Sequence, residues 1–528
     1  MRETHPGMMP ADAGMKGLLG GMTPGFRHLM GDVCSFAERA SGLRLRSYQR
    51  AVARGVTASV LRGEGLSLVV MFPRQSGKNE LQAQIEAYLL ALYGSRQAEI
   101  VKISPTWRPQ SLNAMRRLQR VLERNLVTKS LWRKENGYIY RIGSARVFFL
   151  SGATAANIVG ATASTLLQVD EAQDVAIDKY DRDIAPMAAA TNATRVFWGT
   201  AWTGRTLLAR ELQQAQAAEQ ADGMRRVFAL TADEVATEVP AYGRFVASQV
   251  ARFGRSHPIV RTQFFSEAID AEGSMFPPGR KELMAGAHPR LDAPEPGRVY
   301  ALLLDLAGED EDLNRAHPGA TPERAAGSRR DATALTVVEL DFSTLADELL
   351  YAPTYRVVHR RQWVGVKHSR LYGELRALAE AWRSRHVVVD ATGVGAGMAS
   401  FLERALPGKV IPFIFNQASK SRLGWDFLAV VDSGRYREHA GVGDELQAAF
   451  WRQAAFCEYE ALPGTEKILR WGVPDGRRDP VNGAYVHDDL LVSAALCAVL
   501  DRRQWRRESG APLVVPGRDP LAELDIGF

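Results

Sequence analysis

The sequence predicts two α/β domains in tandem, the first built around a phosphate-binding loop and the second carrying aspartates at the ends of its elements. Three observations lead there. Short, nearly wholly apolar strand-like runs alternate with helical stretches, the pattern of a parallel sheet covered on both faces. One such run, Leu66 to Phe72, leads directly into Arg74-Gln75-Ser76-Gly77-Lys78-Asn79. The chain also has 528 residues, too many for one ordinary core.

Composition excludes several classes. Hydrophobic residues at 46% and charged residues at 24% describe a soluble globular chain, and no uncharged apolar stretch of about 18 residues or more reads as a membrane span. Met1 to Ser41 is Gly- and Met-rich and lacks the order of features of a secretion signal. The three cysteines, Cys34, Cys457 and Cys497, lie too far apart for a disulfide framework or a zinc site, and suit a reducing interior. A formal charge of +6 mildly favours a polyanionic partner.

In the first half, a short helix is expected over Leu43 to Gly55, with Tyr48 and Gln49 near its start. Strands are expected at Leu66 to Phe72, Glu99 to Ile103, Ala145 to Leu150, Thr165 to Val169 and Arg195 to Trp198, with helices at Glu80 to Tyr93 and Gln110 to Asn125 between them. In the loop after the first strand, backbone N–H groups would cradle phosphate and Lys78 would reach the outer phosphates. Asn79 stands where such loops usually place the hydroxyl that binds magnesium, and Arg74 is placed to add positive charge at the transferring group.

The strand Thr165 to Val169 delivers Asp170 and Glu171. Such a pair admits two readings: an acidic helix start, or a division of labour in which Asp170 holds magnesium and Glu171 polarises the attacking water. A lysine-bearing loop and an acidic strand end in one sheet favour the second, nucleotide hydrolysis. Thr200, after the strand Arg195 to Trp198, reads equally as a γ-phosphate sensor or as a neutral turn residue.

Between Ser266 and Arg298 the chain turns to Gly, Pro and small polar residues around one short helix, Arg280 to Ala287, and reads as a linker. The expected organisation is therefore an amino-terminal extension (1–41), a first domain (42–265), a linker (266–298), a second domain (299–503) and a tail (504–528). In the second domain, Val299 to Leu304 delivers Asp305, a charged loop spans Glu309 to Arg330, and Asp331 introduces the strand Ala332 to Leu340. His386 to Val389 carries Asp390, and His487-Asp488-Asp489 opens an apolar helix, Leu490 to Val499. Acidic residues at three separate element ends match what a two-metal phosphodiester hydrolase requires. Ordinary strand-end and helix-start aspartates are the competing reading.

The order of these motifs resembles a family. Tyr48-Gln49, RQSGKN at Arg74 to Asn79, VDEAQ at Val169 to Gln173 and GTA at Gly199 to Ala201 look like the packaging ATPase half of the large terminase subunit of tailed phages. Asp305 with DATAL at Asp331 to Leu335, DATGVG at Asp390 to Gly395 and HDDLLVSAALCA at His487 to Ala498 look like its nuclease half. The resemblance covers about Ser41 to Arg503. It implies a P-loop ATPase domain followed by a ribonuclease-H-like nuclease. Gln49 would approach adenine and Arg74, Gln75, Ser76, Gly77, Lys78 and Asn79 would surround the phosphates. Asp170 would hold Mg2+, Glu171 would orient the water, and Thr200 would lie in the motif coupling hydrolysis to DNA movement. Asp305, Asp390 and one of Asp488 and Asp489, with Asp489 preferred, would hold two Mg2+ or Mn2+ ions, Asp331 being at best auxiliary.

The implied cofactor of the first half is ATP, and the implied partners are double-stranded DNA, a portal protein, a small terminase subunit and further copies of the chain in a ring. The resemblance places the protein in the host cytoplasm, attached transiently to the portal vertex of a procapsid. Basic segments at Arg108 to Arg124, including Arg116, Arg117 and Arg120, and at Arg356 to Arg370 read equally as DNA contacts or solvated faces. A cellular helicase-nuclease or restriction-type translocase would be expected to carry a second motor domain, and a packaging scaffold with inactive sites would be expected to have lost the carboxylates.

Overall fold

The computed structural model describes residues 23–307, 332–503 and 505, except 159, 442, 481 and 482. Asp331, the charged loop 309–330 and nearly all of the tail lie outside the described residues.

The first half folds around an eight-stranded sheet. Its strands are β1 (Ser67–Met71), β2 (Ala98–Ser104), β3 (Trp132–Glu135), β4 (Ile139–Ile142), β5 (Ala145–Ser151), β6 (Leu166–Val169), β7 (Thr194–Gly199) and β8 (Val227–Ala229), in the order β3-β4-β5-β2-β6-β7-β1-β8. From β5 to β8 all neighbours are parallel, so their carboxyl ends share one edge of the sheet. The other edge departs from the expected parallel pattern, because β3, β4 and β5 form an antiparallel meander. Asn136 and Gly137, both at positive φ (48° and 77°), make the tight turn between β3 and β4.

Two helices matter most for the site. Ser47–Arg62 begins four residues later than the sequence predicts, with the Arg46 N–H held by Gln49 Oε1 at 3.0 Å, and it ends at Gly63, which has φ 64°. Lys78–Leu92 starts immediately after Gly77 and is buried almost all round, lying against helices on one side and the sheet on the other.

The second half carries a six-stranded sheet of β10 (Tyr300–Asp305), β11 (Thr333–Asp341), β12 (Thr354–Trp363), β13 (His386–Asp390), β14 (Val410–Phe413) and β15 (Tyr436–Arg437), ordered β14-β13-β10-β11-β12-β15. β10, β11 and β12 are successively antiparallel, whereas β13 and β14 add in parallel on the other side of β10. This is the arrangement of a ribonuclease-H-like sheet. A third, three-stranded sheet joins β9 (Glu272–Ser274) to the hairpin β16 (Glu458–Ala461) and β17 (Leu469–Gly472).

The segment 266–298 is thus no free tether. β9 pairs with β16, the helix Pro278–Met284 follows, and Leu291 N–H donates to Val358 O. The halves also interlock through side chains. Trp202, which follows β7, lies in the apolar core of the second half with Ile269, Met275 and Trp425. Arg280 forms a two-pronged pair with the buried Asp432 (2.8 and 3.0 Å). His257 caps the helix Pro258–Phe264 through its Nδ1 and donates from Nε2 to Trp425 O at 3.1 Å.

Candidate functional site

The turn after β1 is shaped by two positive-φ residues, Gln75 (63°) and Gly77 (92°). Gly77 is required twice over, since a Cβ there would also come within 2.6 Å of Gln49 Nε2. Residues 46–49 clamp the turn from behind: Tyr48 OH donates to Ser76 O (2.9 Å), Arg46 Nη1 to Ser76 O (3.2 Å) and Gln49 Nε2 to Gly77 O (3.1 Å). Gln49 Oε1 accepts the Arg46 N–H, so both ends of this buried amide hold protein groups. Ser76 Oγ, also buried, donates to Pro73 O at 2.7 Å. Arg74 is exposed and anchored on Gln263, which accepts from its backbone N–H (2.8 Å) and its guanidinium (3.1 Å). Asn79 is exposed on the first turn of the helix.

β6 lies one strand away from β1, with β7 between them, and the sheet brings their carboxyl ends together. Lys78 Nζ is 2.8 Å from Glu171 Oε1. Glu171 sits at φ 46°, a conformation that strains a non-glycine residue and aims its side chain back over the sheet edge. Burial pushes its carboxyl up, but the charge of Lys78, hydrogen bonds from Lys78 and Gln173, and the charge of Lys467 outweigh it and hold the group below its ordinary value. Glu171 is therefore an anion poised beside the loop.

Gln173 connects the ends of β6 and β7. Its Nε2 donates to Glu171 Oε2 (2.7 Å) and its Oε1 accepts the Thr200 N–H (3.2 Å). Gly199 permits this, because a Cβ there would lie 2.2 Å from Gln173 Oε1. Asp170 is buried and accepts from Gln82 Nε2 at 3.0 Å. Gln82 stands one helical turn beyond Lys78, and a further turn on Glu86 receives Lys102 Nζ (2.9 Å) and Gln168 Nε2 (2.8 Å) in the interior. One face of the helix Lys78–Leu92 thus carries a polar ladder into the sheet. Sequence reading missed Gln82, Glu86 and Gln173 as partners of the motif; the spacing 78, 82, 86 was the available signal.

In the second half, β10 and β13 are neighbours in parallel and end at Asp305 and Asp390. The helix Asp489–Ala495 packs across β10 and β11, fixed by Ser493 Oγ on Leu303 O (2.8 Å) and Thr336 Oγ1 (3.0 Å), so that its first residue faces the same sheet edge. Asp489 Oδ2 accepts the Ala332 N–H at 3.0 Å and Asp390 Oδ1 accepts the Thr392 N–H at 2.8 Å. Asp488 is half-buried, 3.7 Å from Lys420 Nζ. Burial, then the charges of Asp489, Asp390 and Asp488 in that order, push the Asp305 carboxyl well above its ordinary value, with Lys420 opposing.

The four carboxylates therefore share one electrostatic site. Among the described residues they do not stand as a ready-made metal cage of three or more ligands. Their hard oxygen donors, four carboxyl groups facing the single ammonium of Lys420, nevertheless fit divalent cations. Lys420, on the helix Gln417–Asp432, was invisible to motif reading.

The basic segments divide. Arg116 and Arg120 are exposed, whereas Arg117 is bound to Glu80 (3.0 Å). Arg360 is buried against Glu438 and Arg356 is paired with Asp341, so these two serve the fold, while Arg361, Lys367 and Arg370 remain exposed.

No family profile matches the chain. A stretch of 94 residues, 18% of the chain, is 28% identical to a probable terminase ATPase subunit of Haemophilus phage HP1 and spans only 16% of that protein's length. Among solved structures, the chain is similar to the large terminase of bacteriophage HK97, with 13% identity over 89% of this chain and 99% of that one and a TM-score of 0.40. It is likewise similar to the large terminase of a thermophilic bacteriophage, with 11% identity over 87% and 99% and a TM-score of 0.45. The chain is similar to phage large terminases. In this chain the two acidic sheet edges lie in separate halves, and no described helix is long and apolar enough to cross a membrane.

Proposed function

We propose that the chain is a large terminase subunit, an ATP-driven translocase of double-stranded DNA joined to a metal-dependent endonuclease. The observation that carries this reading is the chain of contacts Lys78–Glu171–Gln173–Thr200, which joins the ends of β1, β6 and β7 in one site, in a molecule whose other half gathers Asp305, Asp390, Asp488 and Asp489.

In the first site the loop N–H groups, Arg74 and Lys78 bind the phosphates of ATP. Lys78 leaves Glu171 to do so, which frees the Glu171 carboxylate to orient a water and accept its proton. Asp170, oriented by Gln82, holds magnesium, and Thr200 reports the γ-phosphate through Gln173. Gln49 maintains the loop and faces the adenine side. In the second site Asp305, Asp390 and Asp489 would hold two divalent cations; Asp489 is preferred over Asp488 because it is buried at the start of the helix packed across β10 and β11, whereas Asp488 faces Lys420. Bound cations supply neutralisation of phosphate oxygens and a more acidic water.

Exposed arginines such as Arg116 and Arg120 meet DNA phosphates, so binding weakens as salt rises. The working assembly is a ring of copies on the portal of a procapsid in the host cytoplasm, supplied with DNA by a small terminase subunit.

The test compares parent, Lys78→Ala and Asp305→Ala for ATP hydrolysis and for plasmid cleavage in Mg2+ or Mn2+. K78A is expected to lose hydrolysis and still cut, and D305A the reverse. Parent-like cutting by D305A would remove the second site from the reading, and parent-like hydrolysis by K78A would remove the first.

A further inference from the structure

The turn bearing Glu171 is completed by a residue from the other half of the molecule. Asp174, four residues after Asp170, is largely buried, and its Oδ1 lies 2.5 Å from Lys467 Nζ. Lys467 is on the connection between β16 and β17. It is held there by its own carbonyl, which accepts from Trp425 Nε1 (2.9 Å), and by its ammonium, 4.5 Å from the centre of the Trp202 ring. Asp174 Oδ2 in turn accepts from Gln173 Nε2 at 3.3 Å, and this amide also serves Glu171.

Gln173 is therefore shared between two carboxylates, and Lys467 neutralises the one that takes no part in hydrolysis. Without that ammonium, the Asp174 carboxyl, which burial pushes above its ordinary value even beside Lys467, would lose the partner that fixes it. It would compete for the Gln173 amide and draw it from Glu171 and Thr200. We propose that Lys467 is a positioning residue for ATP hydrolysis, supplied by the nuclease half, that sets the Gln173 amide and through it Glu171. The inference rests on the reading of the first site as an ATPase. Among the described residues Lys467 makes no hydrogen bond or ion pair to the phosphate loop, and its charge falls on Asp174 and Glu171, so it acts on the hydrolytic step and not on nucleotide binding.

The experiment is steady-state Mg-ATP hydrolysis by the full chain as parent, Lys467→Met, Lys467→Arg and the double variant Lys467→Met with Asp174→Asn, with Lys78→Ala as the baseline. K467M is expected to lower kcat by about tenfold while KM stays within about twofold, the signature of an interaction realised after binding. K467R, which keeps the charge over Trp202, and the double variant, which removes both charges, are expected to recover most of kcat.

A K467M kcat within about twofold of the parent overturns the proposal. So does a K467R or double variant as slow as K467M, which would mark a merely structural role. A parent no faster than K78A overturns the ATPase reading itself and this inference with it, an outcome distinct from the others because it is seen before any Lys467 variant is compared.

Discussion

Acidification should loosen the junction between the two halves through one imidazole. His257 is fully buried between Phe253 and Trp425, with ring centroids 5.6 and 6.0 Å away. It needs its neutral form, because Nδ1 accepts the Ile259 N–H while Nε2 donates to Trp425 O. Burial lowers its pKa to about 4 from 6.5; Asp432 pushes it back up and Arg280 pushes it down. A proton therefore binds the unfolded chain first. The stabilisation is fully present above about pH 6.5 and is lost as the pH falls toward about 4, with a total of about 3 kcal/mol. By pH 5 about 2 kcal/mol of it has gone, a fall of a few degrees in Tm.

The assay is thermal melting of parent and His257→Asn at pH 7 and pH 5 in matched salt. Asparagine keeps an acceptor for the helix cap but does not titrate. H257N should melt lower at pH 7, where it loses the ring contacts, and should lose several degrees less than the parent on going to pH 5. Equal losses in the two proteins would refute the assignment of the buried neutral ring.

Two further perturbations probe the sites. Gly199→Ala places a Cβ 2.2 Å from Gln173 Oε1 and 2.6 Å from Leu208 Cδ2, which should dislodge the Gln173 amide and lower ATP hydrolysis about tenfold or more while plasmid cleavage persists; unchanged hydrolysis would remove Gln173 from the mechanism. Asp305→Asn relieves a carboxyl that burial and three neighbouring aspartates push upward, so the metal-free variant should melt higher than the parent. Mn2+ at about a hundred times its Kd should stabilise the parent by about 2.7 kcal/mol and the variant far less, and an equal rise in both would place the cation elsewhere.

The parts legible in the sequence were those where chemistry and chain order coincide. The strand before Arg74, the Asp170-Glu171 strand end and the aspartates closing β10 and β13 all announce themselves within a few residues. The antiparallel edge was signalled by Asn136-Gly137 between Trp132 and Tyr140, but two four-residue strands carry little periodicity of their own. Gln82 and Glu86 were hidden for another reason. Their helix is buried all round, so the polar ladder is distinguished only by what β6 and β2 place opposite it. The late start of the helix at Ser47 goes with a one-sided bond from the Arg46 N–H to Gln49 Oε1, which arginine at the cap position does not announce. Lys467 and Asp174 are 293 residues apart, and nothing local to either could have paired them.

The burial of Trp202 in the second half's core bears on how the molecule can be taken apart. A fragment ending near residue 265 would keep Trp202 and the His257 face but lose Trp425 and Ile269, which cover them. The complementary fragment would expose the matching side of the same contact. Each piece would carry an adhesive apolar scar where water now never reaches. Self-association of an isolated half would then report the missing other half, and only the intact chain is a fair subject for measuring how copies assemble.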